Sequence, residues 1–276
     1  MIIDAHQHFW KLDRGDYGWL NPKLGQIFRD FLPEDIKPFL SRHKISGTIL
    51  VQAAPTVAET EFLLKFAEKI PFIKGVVGWV DFESPNSAEE IFRLAEHSSL
   101  VGLRPMIQDI DDVDWMLNDR LKPAFRALIA ADLTFDALTL PQHLVNLLQL
   151  LTEHNEMRVV IDHGSKPQIK CKQFSDWAMN MKILASETNA FCKLSGLVTE
   201  AGAGWTIDDL RPYVNHLLDV FGAGRLIWGS DWPVCTLAAS YDNWVEVTHK
   251  LLENLTDKDR QAILGDNARV AYNLVT

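Results

Sequence analysis

Short apolar stretches recur eight times along this chain, and each is followed by a segment with helical spacing. They lie at 1–8, 47–52, 74–80, 100–104, 133–137, 158–162, 191–195 and 226–229. They rarely alternate polar with apolar residues, which marks parallel strands buried on both faces. Their starts lie roughly 25–45 residues apart, the spacing of a strand plus a return helix. Helices are expected at 33–43, 60–69, 87–97, 113–131, 142–154, 174–186, 207–221 and 241–254. A helical tail is expected at about 257–276. Ser87 with Glu90 three residues on reads as a capping box. Eight such units in 276 residues, with no Gly/Ser linker, predict one α/β domain over 1–276, a closed (β/α)8 TIM barrel. An open doubly wound sheet is disfavoured because no Gly-rich phosphate turn follows the first strand. The long segment at about 9–31, with Trp10, Tyr17, Trp19 and Pro22, lacks periodicity and reads either as a lid or as a self-packed surface excursion.

In a barrel the carboxyl ends of all strands meet at one face, where catalytic groups sit. The first strand ends in His6 and His8. Strand alternation puts Ile2, Asp4, His6 and His8 on one side, so the two imidazoles can share a metal ion or polarise one carbonyl. The later strand ends supply Gln52, Asp81 after Trp79, Arg104, Asp136, Asp162-His163, Lys193 with Ser195, and Asp231-Trp232-Pro233. By the same alternation Val159, Ile161 and His163 point inward while Asp162 points elsewhere. Ile227, Gly229 and Asp231 also share a side. Asp231 is therefore a candidate general base or metal ligand. Arg104 is a buried cation that needs an anionic or carbonyl-rich partner, either a substrate or a strand-end acid such as Asp136. The roles of Asp136, Lys193 and Ser195 stay open.

Net charge −10 disfavours nucleic acid as a partner. No apolar run is long enough to cross a membrane, and no basic-then-apolar leader opens the sequence. Cys171, Cys192 and Cys235 form no Cys-x-x-Cys motif and read as free thiols of a reducing cytoplasm. The nine tryptophans hint at an aromatic-walled pocket.

Asp4-Ala-His6-Gln-His8-Phe-Trp10, Gly75-Val-Val-Gly-Trp79-Val-Asp81, Gly102-Leu-Arg104-Pro105, Asp162-His163 with Lys166-Pro167, Lys193-Leu-Ser195-Gly196 and Trp228-Gly-Ser-Asp231-Trp-Pro233 occur in this order. Together they resemble the amidohydrolase superfamily, in particular its amidohydrolase-2 branch of sugar-lactone and pyrone-dicarboxylate lactonases. The resemblance implies His6, His8, His163 and Asp231 as the ligands of a single divalent ion, zinc first among candidates, in a branch that works with one metal or with none. Arg104 and Asp136 stand where the superfamily's bridging lysine or glutamate and a further histidine would be, which argues against a two-metal centre.

The implied activity is hydrolysis of a sugar lactone, such as a fucono- or rhamnono-lactone, to its aldonic acid. Asp231, His163 and Arg104 are the candidate catalytic residues, and Trp10, Gln52, Trp79, Arg104 and Trp232 the candidate substrate contacts. A lone strand-end arginine suits a neutral polyol better than a dicarboxylate. The alternatives are a metal-dependent decarboxylase of an aromatic acid on the same fold and a non-catalytic sugar-acid binder.

Overall fold

A computed structural model describes residues 1–274. Eight parallel strands stand side by side in chain order. They are β1 (Ile2–Gln7), β2 (Ile45–Val51), β3 (Ile73–Gly78), β4 (Leu100–Leu103), β5 (Thr134–Ala137), β6 (Val159–Ile161), β7 (Phe191–Leu194) and β8 (Leu226–Trp228). The return helices are α1 (Pro33–Arg42), α2 (Val57–Ala67), α3 (Ser87–Ala95), α4 (Lys122–Ala130), α5 (Leu144–Glu153), α6 (Ser175–Glu187), the short α7 (Leu197–Ala201), α8 (Ile207–Phe221) and α9 (Tyr241–Leu251). This is the (β/α)8 barrel that the alternation predicts. Two apolar layers hold it. The outer layer lies between strands and helices and includes Leu50, Val76, Leu103, Phe135, Val159 and Ile161. The inner layer fills the barrel with Ile3, Ala5, Ile49, Val51, Val77, Val101, Val160 and Ile227.

The structure departs from simple alternation where β1 meets its neighbour. Asp4 pairs with Thr48, but Gln7 pairs with Leu50, so β1 carries one extra residue over this span. Ile3 and Ala5 face the barrel interior. Asp4 faces away, toward Ser230 and Tyr241. The bulge then turns His6 inward, so His6 and Asp4 do not share a side. In β6 the alternation also differs from expectation. Val160 faces the interior, and Val159 and Ile161 face the helices. Asp162 is therefore the inward residue, and His163 reaches the cavity only because the chain turns there with φ of 54°.

Regions that read as continuous helix are broken locally. The 113–131 stretch begins with two 3-10 turns, Trp115–Leu117 and Asp119–Leu121, before α4. Asn118 caps the second turn by accepting from the Arg120 amide. The N-cap of α3 is Asn86 rather than Ser87, and it makes no side-chain cap bond. The tail folds as α10 (Asp257–Gln261), a π-helical turn (Ala262–Asp266) and α11 (Asn267–Ala271). It plugs the bottom of the barrel. Ala268, Ala271 and Tyr272 join the inner layer, and the Thr134 hydroxyl donates to the Ala271 carbonyl at 2.7 Å. The final two residues lie outside the described residues. The 9–31 segment is packed by its own aromatics, with Trp10 against Trp19 and Phe31. Two main-chain hydrogen bonds between Trp10 and Phe31 close its base.

The barrel closes where β8 meets β1. The Asp231 amide donates to the His6 carbonyl at 2.7 Å, and the His8 amide to the Trp232 carbonyl at 2.8 Å. A Cβ on Gly229 would fall 2.7 Å from the His6 Cβ, so glycine is needed for this approach. Asp4 clasps the seam from outside: it accepts from the Ser230 amide at 2.7 Å and from the Tyr241 hydroxyl at 2.9 Å. Burial pushes its carboxyl up from the ordinary 3.8 to about 6, against the pull of those hydrogen bonds. A raised carboxyl favours the folded state most when protonated, so this contribution is complete near pH 4 and is lost as pH rises through about 6. Between about pH 4 and pH 7 the wild type should therefore lose about 2 kcal/mol relative to Asp4→Asn. Urea unfolding of both proteins across that range measures it, and parallel curves would refute it.

Candidate active site

The carboxyl ends of the strands converge on a cavity of about 160 Å³ lined by His8, His163, Asp231, Arg104, Trp19 and Met106, among others. His6 lies directly beneath, its ring centroid 4.9 Å from that of His8 and 4.5 Å from that of His163. Asp231 Oδ1 sits 3.3 Å from His8 Nε2 and 3.7 Å from His6 Nε2. Four residues from β1, β6 and β8 thus meet around one point. Two of them, His163 and Asp231, hold left-handed backbone with φ of 54° and 57°. Such non-glycine conformations are costly and collect at functional sites.

Each ring is held by a defined partner. His8 Nδ1 lies 2.8 Å from the Val51 carbonyl, which can only accept, so that nitrogen carries the hydrogen. The lone pair of Nε2 then faces a carboxylate oxygen. Two acceptors 3.3 Å apart need a shared proton or a cation between them. His163 Nδ1 bonds the Ser195 hydroxyl at 2.8 Å, leaving its other ring nitrogen free. Gly196 is required there, because a Cβ would lie 2.6 Å from that Nδ1. Burial pushes His163 down to about 4, partly offset by Asp231 and Asp162, so the ring is neutral near pH 7. Burial and the Lys193 ammonium hold His6 neutral as well. Burial alone would raise the Asp231 carboxyl, but His163, His8 and His6 together hold it well below the usual carboxylate range. The site therefore offers an ionised carboxylate among imidazoles.

Ligand atoms of His6, His163 and Asp231 all lie within 4.8 Å of one another, close enough to converge on one ion. The facing acceptors of His8 and Asp231 add a fourth donor. Two or three imidazole nitrogens and one carboxylate make a donor set that fits a single divalent ion such as zinc.

Below the cavity a buried charge cluster fixes His6. Lys193 Nζ donates to Asp136 Oδ2 at 2.6 Å, lies 2.8 Å from Asp162 Oδ1, and is 3.1 Å from His6 Nδ1. Arg104 Nη1 contacts both Asp162 Oδ2 and His6 Nε2 at 3.3 Å. Tyr272 from the tail donates to Asp136 at 2.8 Å. Two cations are thus matched by two carboxylates. The sequence left Arg104 between substrate and a strand-end acid. The acid it meets is Asp162, while Asp136 belongs to Lys193.

Not every candidate substrate contact reaches the cavity. The Gln52 side-chain amide donates to the Arg104 main-chain carbonyl at 2.8 Å, and the Gln52 main-chain carbonyl accepts from the Arg104 guanidinium. Gln52 positions Arg104 from behind. Trp10 is fully buried, its indole donating to the Arg29 carbonyl at 2.7 Å. Trp232 is wedged between Phe9 and Phe31. These two tryptophans are packing residues because the aromatic loop needs a core of its own. Trp79 lines a neighbouring chamber instead. Trp19, Met106, Gln108, Asp109, Leu138 and Val234 also line the cavity, and none of them stands among the substrate contacts expected from the sequence. For Trp19 the aromatic run of the first loop was a signal, but which of its rings faces inward is a matter of tertiary packing.

The sequence profile of the family described as Amidohydrolase matches residues 3–274. The chain belongs to that family. It is 42% identical to an L-fucono-1,5-lactonase of Burkholderia ambifaria, over 99% of this chain and 95% of that protein. It is 36% identical to an L-fucono-1,5-lactonase of Burkholderia multivorans, over 99% and 96%. A crystal structure of an amidohydrolase from Burkholderia multivorans with zinc bound superposes with a TM-score of 0.92 at 35% identity, covering all of both chains.

The buried cluster yields a prediction. Lys193→Met leaves Asp136 and Asp162 without their shared ammonium and should cost about 3–5 kcal/mol of stability. Chemical denaturation reads this directly, and a change under about 1 kcal/mol would mean the cluster is not held by that charge.

Proposed function

We propose that this amidohydrolase opens an aldono-lactone, of the fucono- or rhamnono-lactone kind, to the aldonic acid. The observation that carries the reading is Asp231, an ionised carboxylate set among neutral imidazoles at the floor of a cavity that Arg104 also lines. Full-length likeness to two L-fucono-1,5-lactonases supports the substrate class. A lactone is a neutral ester. The site needs a proton acceptor for water, a donor for the carbonyl oxygen, and a route for the proton to the leaving alkoxide.

In this reading Arg104 donates to the lactone carbonyl and then to the nascent carboxylate. Asp231 accepts a proton from water as the water oxygen bonds the carbonyl carbon. The ring C–O bond then breaks, and the alkoxide takes the proton back from Asp231. His163, neutral and fixed by Ser195, orients the water and stabilises charge on the carbonyl oxygen. Trp19 offers an aromatic wall for the sugar ring. A divalent ion, zinc by the chemistry of the donors, would be held by His6, His8, His163 and Asp231 and would supply Lewis acidity there. Arg104 is itself paired with Asp162 beneath the cavity, so it meets the product as a hydrogen-bond donor whose charge is already balanced.

Among the described residues no helix is long and apolar enough to cross a membrane. The three unpaired cysteines and the acidic charge suit a cytoplasmic enzyme of small molecules rather than a partner of nucleic acid.

Asp231→Asn should lower kcat for lactone opening by about a thousandfold, in a protein that keeps its far-UV spectrum. Proton release from a panel of aldonolactones reads the loss, and an unimpaired variant removes Asp231 from the mechanism. Zinc added to chelator-treated wild type should raise the unfolding midpoint by about 2 °C or more, and Asp231→Asn should abolish that rise.

A further inference from the structure

A second chamber opens beside the catalytic cavity, and lactone opening as described makes no use of it. Its volume is about 490 Å³, against 160 Å³ for the catalytic cavity. Trp19, Met106 and Asp109 line both, so the two spaces adjoin along these residues. The smaller space suits one sugar ring, and the larger has the size of a full ligand site.

The chemistry of the chamber is specific. Trp79 and Trp115 line it together with the carboxylates Asp16 and Asp81, and no lysine or arginine does so among the described residues. An anion such as the aldonate product would be repelled there. Aromatic faces with carboxylate acceptors instead suit a neutral polyol, whose C–H face stacks on a ring while its hydroxyls donate. Two polar atoms carried by residues of this wall are sealed from solvent without partners. The indole N–H of Trp115, a residue only 6% exposed, has none, and neither has Oδ1 of Asp16. Oδ2 of Asp16 is satisfied by Arg14 and Thr56. Buried unpaired groups are rare, and each calls for a reason.

We propose that the chamber is a second sugar subsite, so that the enzyme takes aldonolactones bearing a glycosyl substituent. The lactone ring sits in the catalytic cavity, and the appended ring passes over the rim formed by Trp19 and Met106 to lie against Trp79. The chamber adds no chemical step, and it acts through KM. This inference rests on the lactonase reading.

The test compares L-fucono-1,5-lactone with the same lactone carrying one hexosyl group. Wild type should show a KM for the glycosylated lactone at least about tenfold lower, the effect of a filled subsite. Ile110, another residue of the chamber wall, provides the blocking variant. Ile110→Trp should remove that advantage and leave the simple lactone's KM within about twofold. Asp81→Ala, made at an exposed loop position, should do the same and stands in if the filled variant does not fold. Equal KM values for the two lactones in wild type overturn the subsite, as does an advantage that survives both variants. If wild type turns over the simple lactone but not the glycosylated one, the subsite fails and the lactonase reading stands. If neither is hydrolysed, the lactonase reading falls and takes the subsite with it.

Discussion

The seam between the first and last strands is the constraint on which the site depends. His6 and His8 come from β1 and Asp231 from the end of β8, more than two hundred residues later in the chain. They meet only because β8 lays its main chain directly on β1 through the His6 and His8 peptide groups. Gly229 allows the approach, and Asp4 holds it from the helix side. The same few hydrogen bonds that close the barrel therefore set the distances between imidazoles and carboxylate. Closure and catalysis share one piece of geometry.

Beneath the seam, Lys193, Arg104, Asp136 and Asp162 are almost wholly buried. Such a cluster is a poor source of net stability, because desolvation offsets most of the attraction. Its value lies in position. Burial and the Lys193 ammonium keep the His6 ring neutral, and a cation on each side of it fixes its orientation. Asp162 and Gln52 in turn hold Arg104 at the cavity floor, with its own charge already balanced. The site above can then present the Asp231 carboxylate to a neutral substrate.

Much of this was legible in the sequence, for physical reasons that also mark the limits. Parallel strands buried on both faces leave unbroken apolar runs, so the eight strands could be counted and their polar ends read off. His6, His8, His163, Arg104 and Asp231 all stand at such ends, and the structure brings them together. The side that each residue faces was less legible. A bulge in β1 and a left-handed turn at His163 shift the alternation by one residue, and neither leaves a compositional mark. The tryptophans failed for a different reason. Trp10 and Trp232 are consumed in packing the first loop, and Trp19 faces the cavity; hydrophobicity cannot tell these fates apart. The share of Tyr272 in the Lys193 cluster was invisible, because it depends on a tail that folds back under the barrel.

That tail has a bearing on how the protein comes into being. Tyr272 seals the floor of the charge cluster that orients His6, and the π-helical turn at Gly265 packs so tightly on the start of β1 that a Cβ there would strike the Met1 carbonyl. The first strand and the tail are thus mutually dependent. A chain folded through seven strands owns most of the barrel but lacks Asp231 and the Tyr272 seal, so the reaction centre is completed only when β8 and the tail dock.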